Sequence, residues 1–342
     1  MSSAVDVWGG VDRLVDRAPD LADLRAHRLH LLAGRRLRAR GLPVPETLVA
    51  EERASAAFSL GTPLALELLR ASCEGPIVVL KGPELAARYP APHLRPATDV
   101  DVLVEDANDA QQRARRAGFV PLDEREGSYE PLHHLPPLWH PAFGVKLEIH
   151  RRPEWVSWSS PPPAEELLDI AVPAAVGVDG ISALPAAEHA LVVAAHSWSN
   201  LPLRRLLDLV DLQVLAGEAG RTRVVELAAR WDLVGVWRTM IEAADALLDG
   251  GPRTLPLRTW ARDLVAVREP TVAATHFRRL AGPVWALPAR RAAFAIFAAL
   301  AREVRPAADE SWSAKRIRSV RAIRNAFRRR SEHERTLWRR SD

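Results

Sequence analysis

Gly75-Pro76 and Gly82-Pro83 fence off four consecutive apolar residues, Ile77, Val78, Val79 and Leu80. A run so short and β-branched does not make a helix, and the flanking Gly-Pro pairs punctuate both ends, so it reads as a buried strand. Its surroundings are helical. Residues 20–40 and about 45–72 carry apolar side chains at helical spacing, with Leu21, Leu24, Leu31 and Leu32 on one face that Arg28 interrupts. From Pro185 onward nearly every segment is helical again, with Leu203, Leu206, Leu207, Val210 and Val214 forming one stripe. A strand-bearing block between two helical blocks predicts an α+β fold, a small mixed sheet flanked by helices. The expected division is an N-terminal helical region over 1–72, a core at 75–152, a helical domain at 163–314 and a tail at 315–342. Residues 153–163, with Trp155 and Trp158, read as a linker or covering loop whose tryptophans pack.

Within the core, Pro83 occupies a first helical turn, where its missing N–H costs nothing, and opens a short helix through Tyr89. Thr98 to Val104 then alternates, so Asp99 and Asp101 share one strand face while Val100, Val102 and Val104 share the other. A helix over Asn108–Ala117 ends at Gly118, and Phe119 to Leu122 has the look of a short edge strand. Val145 to His150 alternates again, with Lys146, Glu148 and His150 on one face.

Carboxylates on a half-buried strand face are costly unless something compensates them, and a divalent cation suits clustered acids. Mg²⁺ prefers hard oxygen ligands and is often shared with substrate phosphates, so Asp99, Asp101 and Glu148 point to a phosphate-bearing substrate. Two ions roughly 4 Å apart would bind a triphosphate and an attacking oxygen together. The Lys81-Gly82 turn adds a point charge, room for close backbone approach and a helix N-terminus. Arg95, in a proline-fixed loop, offers a guanidinium fork to a phosphate.

The run Leu80-Lys81-Gly82-Pro83-Glu84-Leu85-Ala86 through Arg95 to Asp99-Val100-Asp101-Val102-Leu103-Val104, followed by Leu147-Glu148-Ile149-His150, resembles the uncharacterised nucleotidyltransferase family within the DNA polymerase β-like superfamily. The likeness covers residues 75–152, with a weaker echo in His196 and Arg204-Arg205-Leu206-Leu207-Asp208-Leu209. It implies a small mixed sheet, Asp99 and Asp101 as ligands of two Mg²⁺ ions, Glu148 as the third carboxylate that helps activate the acceptor, and an NTP as donor of NMP. It also makes His196 a candidate contact for nucleotide or acceptor, with Lys146 and Arg204 as further candidates; His150, on the Glu148 face, either touches the substrate or donor phosphate or hydrogen-bonds Glu148. The superfamily usually has Gly-Ser at the helix turn; Lys81-Gly82 stands there in this sequence, so the serine contact to the triphosphate is replaced or absent.

Other features have plainer readings. His133, His134 and His140 read as loop histidines without metal-ligand spacing, and His189 and His196 as packing residues seven apart on one helix. Arg204 and Asp208 read as a helical ion pair. The single cysteine, Cys73, excludes an internal disulfide and a cysteine zinc site, which with the lack of a signal-like N-terminus suggests the cytoplasm. The longest apolar run, Ala292–Ala301, is too short for a transmembrane helix and reads as a buried helix.

Charge is unevenly spread. Residues 315–342 hold 11 of the 47 Lys+Arg and 3 of the 43 Asp+Glu, leaving the body mildly acidic. A basic tail with Ile317, Val320, Ile323 and Phe327 on one side suggests contact with RNA, an anionic surface or a protein. An inactive nucleotide-binding or interaction module is therefore the competing expectation. The acceptor, whether small molecule, peptide or tRNA, is not encoded in any motif. Only Lys81, Lys146 and Lys315 break an otherwise all-arginine basic set, and two of the three lie beside the predicted site.

Overall fold

The computed structural model describes residues 6–18, 20–122, 133–200, 202–260, 272–306 and 310–326. The fold is α+β, a seven-stranded mixed sheet among many helices. Its strands are β1 (Ile77–Val79), β2 (Val100–Val104), β3 (Val120–Pro121), β4 (Leu138–His140), β5 (Val145–His150), β6 (Val172–Pro173) and β7 (Ile181–Ala183), in the order β3-β4-β5-β2-β1-β7-β6. β2 pairs parallel with β5 and antiparallel with β1, while β1 pairs parallel with β7.

Both faces of the sheet are covered, and this explains why β1 is continuously apolar. Ile77, Val79, Val100, Val102, Val104, Leu147 and Ile149 pack on the side of α4 (Glu46–Ser72) and α6 (Ala107–Arg116). Val78, Leu80 and Leu103 join a second, larger core with helices α8 (Ala186–Asn200), α9 (Leu206–Ala219), α10 (Arg221–Arg230) and α11 (Val234–Leu248). Helices α1 (Val7–Asp16), α2 (Leu21–Ala26) and α3 (His30–Ala39) contribute Val11, Leu14, Leu24, Leu31 and Leu32 to that same core. At about 1.5–3 kcal/mol for each fully buried aliphatic side chain, this shared core fastens the N-terminal helices to the C-terminal ones. The remaining helices are α5 (Pro83–Ala86), α7 (Ala164–Asp169), α12 (Leu255–Trp260), α13 (Val272–Ala286), α14 (Ala289–Val304) and α15 (Trp312–Ala326).

Four differences from the sequence reading have physical causes. The helix expected over 20–40 divides into α2 and α3, because Arg28 takes a left-handed backbone with φ 58. The sheet gains β6 and β7 from 172–183, strands of two and three residues that are too short to show a period. Helix α9 starts at Leu206, so Arg204 precedes it and the expected i,i+4 helical pairing with Asp208 does not describe it. The run Ala292–Ala301 forms most of α14, with Ala292 buried but Phe294, Phe297 and Leu300 exposed. Among the described residues no helix is long and apolar enough to cross a membrane. Of the tail, Phe327 and all that follows lie outside the described residues.

Candidate active site

The parallel register pairs Asp101 with Glu148 and Leu103 with His150, so these side chains emerge on the sheet face that meets the helical region. Asp101 is 1% exposed. Its Oδ1 accepts from His150 Nε2 at 2.9 Å and from the Lys81 ammonium at 3.1 Å, while its Oδ2 is buried without a hydrogen-bond partner. Burial alone would raise the Asp101 pKa, but the charge of Lys81 and the hydrogen bond from His150 outweigh it and hold the carboxyl well below its ordinary value. Burial likewise works against the Lys81 ammonium; Asp101, then Asp99, Glu148 and Glu154, reverse it and raise the lysine. Each buried charge is tolerated because of the other.

Asp101, Glu148 and His150 each offer an atom within 4.8 Å of the others. Asp99 does not join that group. It lies one residue before β2, on the same face as Asp101. Its position is fixed by the turn opposite: Gly82 has φ 61, and a Cβ there would lie 2.8 Å from the Asp99 carbonyl oxygen. Only glycine fits both the conformation and the approach. His189, fully buried on α8, donates from Nε2 to the Leu80 carbonyl at 2.6 Å and so fixes the strand end that carries Lys81. Burial, then the charge of Arg88, pushes His189 down to about 3, so its ring is neutral at pH 7.

Further polar groups lie around Lys81. Its ammonium lies 3.2 Å from His196 Nε2, and His196 Nδ1 lies 2.7 Å from Glu154. Glu154 also accepts from Ser199 at 2.7 Å and stands 3.7 Å from His133. Burial raises the Glu154 carboxyl, yet the hydrogen bond and charge of His196 lower it overall. Burial pushes His133 down to about 3 against the pull of Glu154. Lys146 pairs with Glu148 at 2.8 Å, and His134 approaches the same carboxylate at 3.9 Å.

Sequence reasoning missed Glu154, and it treated His133 and His134 as ordinary loop residues. A β-bridge between His134 and His150 draws the histidine loop over the site, a non-local event without local signal. His140, the third of that set, instead stacks on Phe143 with ring centroids 4.2 Å apart. His150 was expected to face a phosphate or to bond Glu148; its hydrogen bond goes to Asp101, with Glu148 at 4.0 Å. Trp155 is packed edge-on against Trp231.

Arg95 has a different setting from the one its motif suggested. Its Nε and Nη2 donate to the two Asp211 oxygens on α9 at 2.9 and 2.7 Å, and Nη1 donates to the Gly82 carbonyl at 3.3 Å. Tyr89 donates to the same Asp211 carboxylate at 2.6 Å. The guanidinium fork thereby joins the Lys81-Gly82 turn to the helical region. Asp211 carried a usable signal, a lone acid within the apolar stretch Leu209-Val210-Asp211-Leu212, which demands a buried partner.

The mixed sheet thus presents a buried acid–histidine cluster beside the Lys81-Gly82 turn. The family model described as "uncharacterised nucleotidyltransferase" matches residues 20–249, more than half of the chain, and the protein belongs to that family. The match extends well beyond the sheet, over α2 to α4 and through α11, so the flanking helices are part of the family's architecture. No curated protein and no solved structure matches the chain.

Proposed function

We propose that the protein transfers NMP from an NTP to a hydroxyl or phosphate oxygen of an acceptor, in a reaction that requires Mg²⁺. The acceptor oxygen attacks the α-phosphorus, the bond to the bridging oxygen breaks, and pyrophosphate leaves with that oxygen. The single observation that carries this reading is Asp101: a fully buried carboxylate with one oxygen held by Lys81 and His150 and the other without a partner. An orphaned buried acceptor is costly, and a cation at Asp101, Glu148 and His150 would satisfy it. When bound, such an ion supplies charge neutralisation at the phosphate oxygens.

The chain's own groups have separable tasks in this reading. Lys81 holds Asp101 ionised and neutralises charge on the donor phosphates. Gly82 admits the phosphates close to the backbone. Glu148, beside Lys146 and His134, is the carboxylate suited to receive the acceptor's proton. Asp99 extends the acidic face toward a second ion. His196 and Arg204 belong to the acceptor or nucleotide side. The imidazole of His150 also suits Mn²⁺, which accepts nitrogen more readily than Mg²⁺ does.

Binding of metal and NTP tests this directly. Mg²⁺ or Mn²⁺ together with an NTP should raise the melting temperature of the parent, by about 2.7 kcal/mol of stability at a hundredfold excess over Kd. Glu148→Gln should lose most of that rise. An equal rise in parent and variant would remove Glu148 from the site.

A second reading rests on α15. Trp312, Ile317, Val320 and Ile323 are all exposed on a helix that also carries Arg316, Arg318, Arg321 and Arg324. Such a helix suits RNA, an anionic surface or a protein partner, and as an interaction module the chain would need no catalysis. Deleting 315–342 would favour the module if partner binding were lost while NTP binding persisted.

A further inference from the structure

Between Glu154 and α7 the chain carries an indole among three hydroxyls, Ser157-Trp158-Ser159-Ser160, and none of them belongs to the cluster around Asp101. Facing this segment is α14, whose Arg291, Phe294, Ala295 and Ala298 are spaced i, i+3, i+4 and i+7 and so share one side of the helix. The two alanines leave room that larger side chains would fill. Segment and helix bound a cleft of about 680 Å³, the size of a small-ligand site.

Both walls are fixed to one turn. Trp155 packs edge-on against Trp231 with ring centroids 5.8 Å apart, and the next residue, Asp232, accepts from Arg291 Nη1 at 3.0 Å. The corner between α13 and α14 is held by α11 as well. Thr239 donates to the Trp285 carbonyl at 2.9 Å, and Gly235 comes so close to Ala286 that a Cβ would stand 1.8 Å from its carbonyl oxygen. The cleft is thus shaped by backbone and buried rings, not by loose surface side chains.

Its chemistry is one-sided. Two guanidinium groups line it and no carboxylate does. Asp232 answers the charge of Arg291, whereas Arg290 and the three serine hydroxyls make no hydrogen bond or ion pair among the described residues. Phe294 is 74% exposed, with Trp158 on the other wall. A flat apolar ring would cover both aromatic side chains, and an acidic group on it would pair with Arg290. A cationic ligand would meet like charge. The cleft also adjoins the site: Ser157 follows Glu154 by three residues, so their Cα atoms are at most about 11 Å apart, and Glu154 holds His196 beside Lys81.

We propose that this cleft binds the acceptor, and that the acceptor is a small aromatic acid bearing the hydroxyl that receives NMP. The acceptor role rests on the nucleotidyltransferase reading; recognition of a flat acid by Arg290, Phe294 and Trp158 does not.

Fluorescence titration of the full chain with 3-hydroxy-2-naphthoate, and with 2-naphthol as the same ring and hydroxyl without the acid, tests the cleft. Arg290→Gln should weaken naphthoate at least about tenfold, the scale of one hydrogen bond to a charged group, and leave 2-naphthol unchanged. Ala295→Trp, which fills the cleft, should weaken both. No naphthoate binding by the parent, or an affinity unchanged in Arg290→Gln, overturns the site; Arg290 is exposed, so that variant keeps the test valid if Ala295→Trp fails to fold. A folded Ala295→Trp should also lose transfer to the acceptor in cell extract while metal and NTP still raise its melting temperature. Transfer by Ala295→Trp at the parent rate overturns the acceptor role. Absence of transfer by the parent itself, with naphthoate binding still dependent on Arg290, removes the nucleotidyltransferase reading and keeps the cleft as a site for aromatic acids.

Discussion

Asp211→Ala is the perturbation that most sharply separates a structural Arg95 from a phosphate-binding one. In the parent, the Arg95 and Asp211 side chains are 10% and 1% exposed and joined by two hydrogen bonds of 2.9 and 2.7 Å. Truncation leaves a guanidinium and the Tyr89 hydroxyl buried without their shared acceptor. Breaking a buried pair by removing one partner costs about 3–5 kcal/mol, a large share of the roughly 5–15 kcal/mol that holds a domain together. The double variant Arg95→Met with Asp211→Leu should recover most of that loss, because an apolar pair of similar volume avoids desolvating two charges. Urea unfolding at pH 7, followed by tryptophan fluorescence and far-ultraviolet circular dichroism, measures both. A loss below about 1 kcal/mol in Asp211→Ala would place the pair on the scale of a solvent-screened surface bridge and refute the clamp.

Two further outcomes follow from the same geometry. Gly82→Ala should lower stability by about 1–3 kcal/mol and disturb Asp99, since the residue has φ 61 and the added methyl would meet the Asp99 carbonyl at 2.8 Å; unchanged urea midpoint would show that the turn relaxes freely. His189 is held near 3 when folded against about 6.5 unfolded, so the unfolded chain binds the extra proton and stability falls as pH drops from about 6.5 toward 3. His189→Gln, which keeps a donor for Leu80, should flatten this acid limb by about 5 kcal/mol at most; an acid limb identical to the parent's would contradict a neutral buried imidazole.

The local elements were readable where a single strand or turn carries its own signal. Ile77 to Leu80 announced β1 because both its faces are buried, and the alternations around Asp101 and Glu148 placed them on adjacent strands of one face. The two site lysines were also informative, for Lys81 and Lys146 each pair with a carboxylate of the cluster. What could not be read locally depends on contacts far apart in the chain. Arg95 meets Asp211 across 116 positions, and Lys81 meets His196 across 115. Glu154 and the histidine pair 133–134 enter only through the fold of β4, β5 and the segment that follows. The break at Arg28 was visible as a polar interruption, but its left-handed geometry belongs to the packing of the turn against α9. Asp99 and Asp101 looked equivalent in alternation, and pairing with β5 separates them.

Nucleotidyl transfer itself is the direct measurement. Purified protein, Mg²⁺ and each NTP are incubated with cell extract, and mass spectrometry seeks an acceptor that gains the mass of one nucleotide. The parent should produce such a species with at least one NTP, and Asp101→Asn, which keeps an acceptor for His150 but removes the charge, should lose it while remaining folded. Transfer by Asp101→Asn at the parent rate would contradict the assignment of the buried cluster as the catalytic centre.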